Sequence, residues 1–119
     1  MFIVTQNFIH QLTVVALGGY TFYGCYGLSG INIPAVELIG AGSFGNTGDQ
    51  SLTISLGSAA PDVAGLVFTE VSVPKSVTVK VPVGAMGYDT NWENGFRGLG
   101  TVGTPGTLNT FIDLTIDEL

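Results

Sequence analysis

The chain has 119 residues, 45% of them hydrophobic, which is enough for one domain with a modest core and too apolar for disorder. Eighteen glycines and five prolines without a three-residue period point to many turns and exclude collagen. Three Lys/Arg against nine Asp/Glu give a formal net charge of -6, so Lys75, Lys80 and Arg97 cannot form the cation cluster that nucleic acid or an anionic membrane surface requires.

Cys25 is the single cysteine, so no intrachain disulfide is available, and its presence says nothing of compartment. No apolar run reaches the length of a membrane span, and membrane insertion is not expected. Residues 2–17 are mildly apolar but lack basic residues ahead of them, so they do not read as a signal peptide. Any export signal is expected outside this sequence. The abundance of Val, Ile, Thr, Phe and Tyr favours strands over helices.

Residues 1–13 read either as an N-terminal cap or as a truncated, decayed repeat. Self-similarity begins after them. Val14-Val15-Ala16-Leu17-Gly18-Gly19-Tyr20-Thr21-Phe22 is echoed by Val36-Glu37-Leu38-Ile39-Gly40-Ala41-Gly42-Ser43-Phe44, a step of 22 residues. A weaker copy, Asp62-Val63-Ala64-Gly65-Leu66-Val67-Phe68, places Phe68 a further 24 residues on. Each copy precedes a short alternating segment: Leu28 to Pro34, Leu52 to Leu56, and Val77 to Pro82.

Alternate side chains of a strand share one face. Ile31 with Ile33, Ile54 with Leu56, and Val79 with Val81 are therefore expected inward. Asn32, Ser55 and Lys80 are expected outward in one row, with Ser29 or Gly30, Thr53 and Thr78 near it. One coil cannot bury its apolar side alone, whereas stacked coils bury one another. Phe22, Phe44 and Phe68 should then stack as an aromatic ladder. An ordinary β-sandwich is the alternative, but it does not require Gly and Phe to recur in step with the strands.

The spacing falls in the leucine-rich-repeat range. The first copy, Leu17-Gly18-Gly19-Tyr20-Thr21-Phe22-Tyr23-Gly24-Cys25-Tyr26-Gly27-Leu28-Ser29-Gly30-Ile31-Asn32-Ile33-Pro34, resembles the BspA-like motif I-G-x-x-A-F-x-G-C-x-x-L-x-x-I-x-I-P. Leu17 replaces the usual Ile and Thr21 the usual Ala. The second copy has Asn46 near the cysteine position and no proline after Leu56, and the third keeps little beyond Phe68 and its strand. The resemblance covers residues 14–82. It implies a bacterial surface or secreted scaffold, with adhesion among its roles. The expected fold is mainly β: a right-handed leucine-rich-repeat-like solenoid of about three coils, with one short parallel sheet and a C-terminal cap.

Residues 83–119 read as that cap. Asp89 or Thr90 can cap a helix of about two turns, with Trp92 and Phe96 on one face and Gly98 at its end. A loop over 100–107 and an alternating strand over Phe111–Ile116 follow. The acidic Asp117-Glu118-Leu119 suits a natural C-terminus.

Several tempting motifs have plainer readings. Gly40-Ala41-Gly42-Ser43-Phe44-Gly45 fits the dinucleotide pattern G-x-G-x-x-G, yet Asn46-Thr47-Gly48-Asp49 cannot extend a helix after it. Asp89, Asn91 and Glu93 resemble the start of a calcium loop, but Asn94 and Gly100 occupy the positions that need Gly and Glu. His10 has no second His and no nearby Cys, so it reads as a surface residue and not as a zinc ligand. Cys25 reads as core. Tyr20, Tyr23 and Tyr26 either form a binding surface or cover the convex side.

No catalytic residue, metal or cofactor is expected. The sequence favours a non-catalytic scaffold for protein or glycan binding, with Asn32, Ser55, Lys80, Thr53, Thr78, Tyr23 and Tyr26 as candidate surface residues. The other reading is a purely structural C-terminal cap of a longer repeat protein. The first coil has an apolar end and an unpaired edge, so either residues 1–13 are expected to cover it or the chain is expected to self-associate.

Overall fold

A computed structural model of the protein describes residues 8–10, 12–46, 51–71, 74–99 and 107–119. In chain order its elements are β1 (Phe8–His10), β2 (Ala16–Leu17), β3 (Gly30–Asn32), β4 (Leu38–Ile39), β5 (Leu52–Ser55), β6 (Asp62–Val63), β7 (Lys75–Val81), α1 (Thr90–Arg97) and β8 (Ile112–Glu118). Among the described residues the fold is mainly β, with two small sheets and one helix.

The three alternating segments form β3, β5 and β7. Their sheet has the order β1-β3-β5-β7-β8, and every strand pair in it is parallel. An antiparallel sandwich is therefore not what these residues build. Ile31, Ile54, Val79 and Ile116 share one register line, as the alternation requires.

The expectation of one sheet needs correction. A second parallel sheet, ordered β2-β4-β6, is formed by the residues around Leu17, Ile39 and Val63. Each of its strands is two residues long, too short for a period of two to show in sequence. Along the chain, strands of the two sheets alternate from β1 to β7, so each pass adds one strand to each.

The core lies between the sheets. Phe22, Phe44 and Phe68 are 3%, 0% and 1% exposed. Their rings stack in file, with centroids 5.7 Å apart from Phe22 to Phe44 and 6.0 Å apart from Phe44 to Phe68. Phe96 meets Phe68 edge-on at 5.1 Å, and Trp92 stacks on Phe96 at 4.7 Å. The helix thus ends the aromatic file.

Backbone bonds tie one pass to the next even outside the strands. The Tyr20, Phe22 and Gly24 amides donate to the Ala41, Ser43 and Gly45 carbonyls at 2.9–3.0 Å. The Gly42, Phe44 and Asn46 amides donate in turn to Leu66, Val67 and Thr69. Left-handed residues recur in the same frame. Two positions before the ladder ring they are Tyr20, Gly42 and Leu66; two positions after it they are Gly24, Asn46 and Glu70.

Helix α1 begins as its sequence directs. The Asp89 carboxylate accepts from the Trp92 amide at 2.9 Å, and Gly98 is the C-cap. This is a helix cap and not a calcium loop. Within residues 83–119 only β8 joins the main sheet among the described residues: it pairs with β7 over seven residues, from Lys75↔Ile112 to Val81↔Glu118. The buried Asn109 precedes β8, and its side-chain amide donates to the Phe68 and Val71 carbonyls.

Candidate binding face of the main sheet

Along β5 and β7 buried residues alternate with half-buried or exposed ones, so one face is core and the other is outward. Pairing then aligns the outward residues across strands. Asn32 stands opposite Ser55, Ser55 opposite Lys80, and Lys80 opposite Asp117. The backbone of His10 on β1 stands opposite Asn32 at the other end of the row. A second row runs Gly30, Thr53, Thr78 and Thr115. Ser76 and Asp113 begin a third.

Five of the seven candidate residues therefore lie on one face: Asn32, Ser55, Lys80, Thr53 and Thr78. Within a row, successive residues repeat at about the 4.8 Å strand spacing of any sheet. From β3 to β8 the charged outward side chains are Lys80, Asp113 and Asp117; the rest are hydroxyls, one amide and one glycine. Such a surface offers hydrogen-bond donors and acceptors in a fixed array. Thr115, Asp117, Ser76 and Asp113 were not among the candidates. Ser76 follows from β7 beginning at Lys75, before the alternating segment read from Val77, and the other three follow from the β8 register, which the broken repeat spacing after Pro82 concealed.

Tyr23 and Tyr26 are positioned elsewhere, in the turns between β2 and β3. The Tyr20 ring covers Gly42, so closely that a Cβ there would come within 2.5 Å of it. A Cβ on Gly45 would lie 2.9 Å from the Tyr23 ring. The Tyr26 hydroxyl donates to the Asn46 side-chain oxygen at 3.2 Å. Tyr20 and Tyr23 meet edge-on at 5.3 Å. These tyrosines cover the turn of the following pass, although Tyr20 and Tyr26 keep more than half their surface in solvent.

The G-x-G-x-x-G segment is explained by close backbone approach. A Cβ on Gly40 would collide with Leu17 O at 2.7 Å and Gly19 N at 2.8 Å. A phosphate cradle needs amides aimed at the ligand. Here the Gly40, Gly42, Ser43, Phe44 and Gly45 amides all donate to carbonyls of the chain.

Cys25 is buried, and desolvation pushes its thiol up. Two open clefts flank the second sheet and the helix start. The larger, about 400 Å³, is lined in part by Val81, Tyr88, Asp89, Ile116 and Glu118. Its polar groups have structural work: Asp89 caps α1, and the Tyr88 hydroxyl donates to Gly57 O at 2.8 Å. The other, about 340 Å³, lies between Pro34–Glu37 and Ser58–Asp62. Among the described residues no group of three His, Cys, Asp or Glu could hold a metal ion. No described helix is long and apolar enough to cross a membrane. The chain matches no family model, no curated protein and no solved structure.

Proposed function

We propose that the chain is a leucine-rich-repeat-like solenoid that serves as a non-catalytic, cell-surface or secreted scaffold for protein or glycan binding. The observation that carries this reading is the register of the main sheet. Asn32, Ser55, Lys80 and Asp117 form one outward row, and Thr53, Thr78 and Thr115 another. Two further features support it: the stacked Phe22, Phe44 and Phe68 rings, and the left-handed residues that recur around them. Both are what repeated coils of one kind require. The resemblance of residues 14–82 to BspA-like repeats supplies the surface location and the adhesive role.

Protein and glycan ligands both suit a flat array of hydroxyls and amides with few charges. Affinity is expected to be modest, because this face is smaller than the roughly 800 Å² that a standard interface buries on each partner. The test is binding to a panel of glycans and matrix proteins by the chain and by Thr53→Arg/Thr78→Arg. Binding lost in the double variant, with the fold intact by circular dichroism, supports the reading. Binding unaffected by it would move the site off this face.

A second reading is a structural end-cap of a longer repeat array. The observation favouring it is α1, whose Phe96 and Trp92 close the aromatic file at the C-terminal end. In that reading the outer face binds nothing by itself.

A further inference from the structure

The strands of the main sheet run parallel, so the turns that follow them leave from one edge of the molecule. Each pass brings a carboxylate to that edge. Glu37 lies between β3 and β4, Asp62 opens β6 after β5, Asp89 lies between β7 and α1, and Glu118 ends β8. All four residues are exposed. None of them forms an ion pair among the described residues.

Two clefts open on this edge, and each holds two of the four acids. The first, of about 340 Å³, sets Glu37 and Asp62 beside Pro34, Ala35 and Pro61. The second, of about 400 Å³, sets Asp89 and Glu118 beside Val81, Ala85, Ile116 and the Tyr88 ring. Among the described residues no Lys, Arg or His lines either cleft. Glu118 occupies the register position of the buried Val81, so strand alternation turns it to the cleft side and away from the outer face. Tyr88 is held in place by its hydroxyl bond to Gly57 O at 2.8 Å and by its edge contact with Trp92 at 4.9 Å. Asp89 gives one oxygen to the Trp92 amide, whereas the Glu37, Asp62 and Glu118 carboxylates make no hydrogen bond among the described residues.

Carboxylates without a counter-cation, set beside apolar walls, suit a cation carried on an aliphatic stem. An arginine side chain lays its stem on apolar surface and keeps its guanidinium at the rim, where carboxylates accept its N–H groups and an aromatic ring attracts its charge. Both clefts are at the small end of the range for ligand pockets, a size for single side chains. The first lies between the passes of β3 and β5 and the second between those of β7 and β8, two strand spacings or about 10 Å apart. A polyproline II chain presents the same side every three residues at a rise of about 3.1 Å each, so side chains three residues apart stand about 9 Å apart and reach both clefts. A second copy of this chain cannot supply such a segment. Its basic residues are Lys75, Lys80 and Arg97, of which Lys75 is buried, and its net charge of -6 repels a like copy. Nucleic acid carries the wrong charge.

We propose that this turn edge docks an extended basic segment of a partner protein, with two arginines three residues apart seated in the two clefts. The surface is separate from the outer face of the main sheet and does not depend on that face binding anything.

The experiment is fluorescence anisotropy of a labelled proline-rich peptide with two arginines three residues apart, and of its isomer with the arginines adjacent. Both are titrated with the full chain at physiological ionic strength, where long-range attraction is screened. The expected result is that the spaced peptide binds about fivefold more tightly than the isomer, a difference of one or two exposed ion pairs. Glu37→Gln/Glu118→Gln should weaken the spaced peptide by about the same factor. Glu70→Gln/Asp113→Asn removes as much charge from exposed sites off this edge and should leave binding unchanged. Backbone amide resonances of Ala35–Glu37 and Gly87–Asp89 should shift on titration of the parent, a readout that needs no variant to fold. A parent that binds neither peptide overturns the proposal. So does equal affinity for the two isomers, equal weakening in the two double variants, or shifts confined to other parts of the chain.

Discussion

The Phe44 and Phe68 rings lie 6.0 Å apart at an interplanar angle of 26°, each from a different pass of the chain. Phe44 is fully buried, with Phe22 stacked on its other side. Among the described residues it has a stacked neighbour on each side, Phe22 and Phe68. Phe44→Ala should therefore cost roughly 3–5 kcal/mol, the range for emptying a core aromatic site. Chemical denaturation measures it. A change under about 1 kcal/mol would mean that the file collapses freely and does not hold the passes together.

Gly40 and Gly18 give a paired test of backbone stacking. Gly40→Ala drives a methyl into Leu17 O and Gly19 N, and overpacking of this kind costs about 1–3 kcal/mol. Among the described residues Gly18→Ala meets only Thr21 Oγ1 at 3.8 Å, and it should leave thermal stability nearly unchanged. Equal effects at the two sites would contradict the stacking described for Gly40.

Gly24 and Glu70 occupy equivalent left-handed positions, at φ 74° and 60°. A Cβ on Gly24 would have nothing within 4 Å, so Gly24→Ala is expected to cost about 1 kcal/mol from backbone strain alone. Glu70 already bears that strain, and Glu70→Gly should leave stability unchanged or raise it by up to about 1 kcal/mol. Thermal midpoints of the two variants should move in opposite directions, or only the first should fall. A marked loss for Glu70→Gly would show that the Glu70 side chain contributes something beyond its backbone.

Burial pushes the Tyr88 phenol up from its ordinary 10.0 to about 12. The folded state therefore favours the protonated ring. This contribution is fully present below pH 10.0 and is lost as pH rises through about 12. Melting curves across that window should show falling stability. Tyr88→Phe removes the bond to Gly57 O, costs about 1 kcal/mol near neutrality and flattens the alkaline slope. An unchanged slope in Tyr88→Phe would assign the alkaline loss to another group.

Much of this arrangement is legible in the sequence where the signal is local. The alternation around Ile31, Ile54 and Val79 gives three strands, and the recurrence of Phe22, Phe44 and Phe68 gives the aromatic file. Asp89, Trp92, Phe96 and Gly98 mark the helix from cap to end. The second sheet is not legible, because two-residue strands such as Leu38–Ile39 are defined by cross-chain pairing and not by pattern. The register of β8 is hidden for a related reason. Val77 pairs with Leu114 after an intervening helix, so the repeat spacing no longer predicts it. Tyr20, Leu66 and Glu70 give no glycine signal for their left-handed backbones. Lys75 precedes the alternating segment that begins at Val77, yet it shares the inward face of β7 with Val77 and Val79 and is buried. Of the candidate surface, the sheet row was readable from alternation. The place of Tyr23 and Tyr26 was not, because it depends on Gly45 and Asn46 of the following turn.

In the proposed solenoid, successive passes of this chain are interchangeable coils of one repeat. Leu38 pairs with Asp62, so residues 38–61 are one full pass. The most direct measurement is the thermal unfolding of a chain in which a second copy of residues 38–61 is inserted after Pro61. The inserted pass places Phe44 on Phe44 and strand Leu52–Ser55 beside itself, and each new coil should bring its own interface. The expected result is a single cooperative transition with a midpoint equal to or above that of the parent chain. Loss of cooperative unfolding, or a large drop in the midpoint, would contradict it.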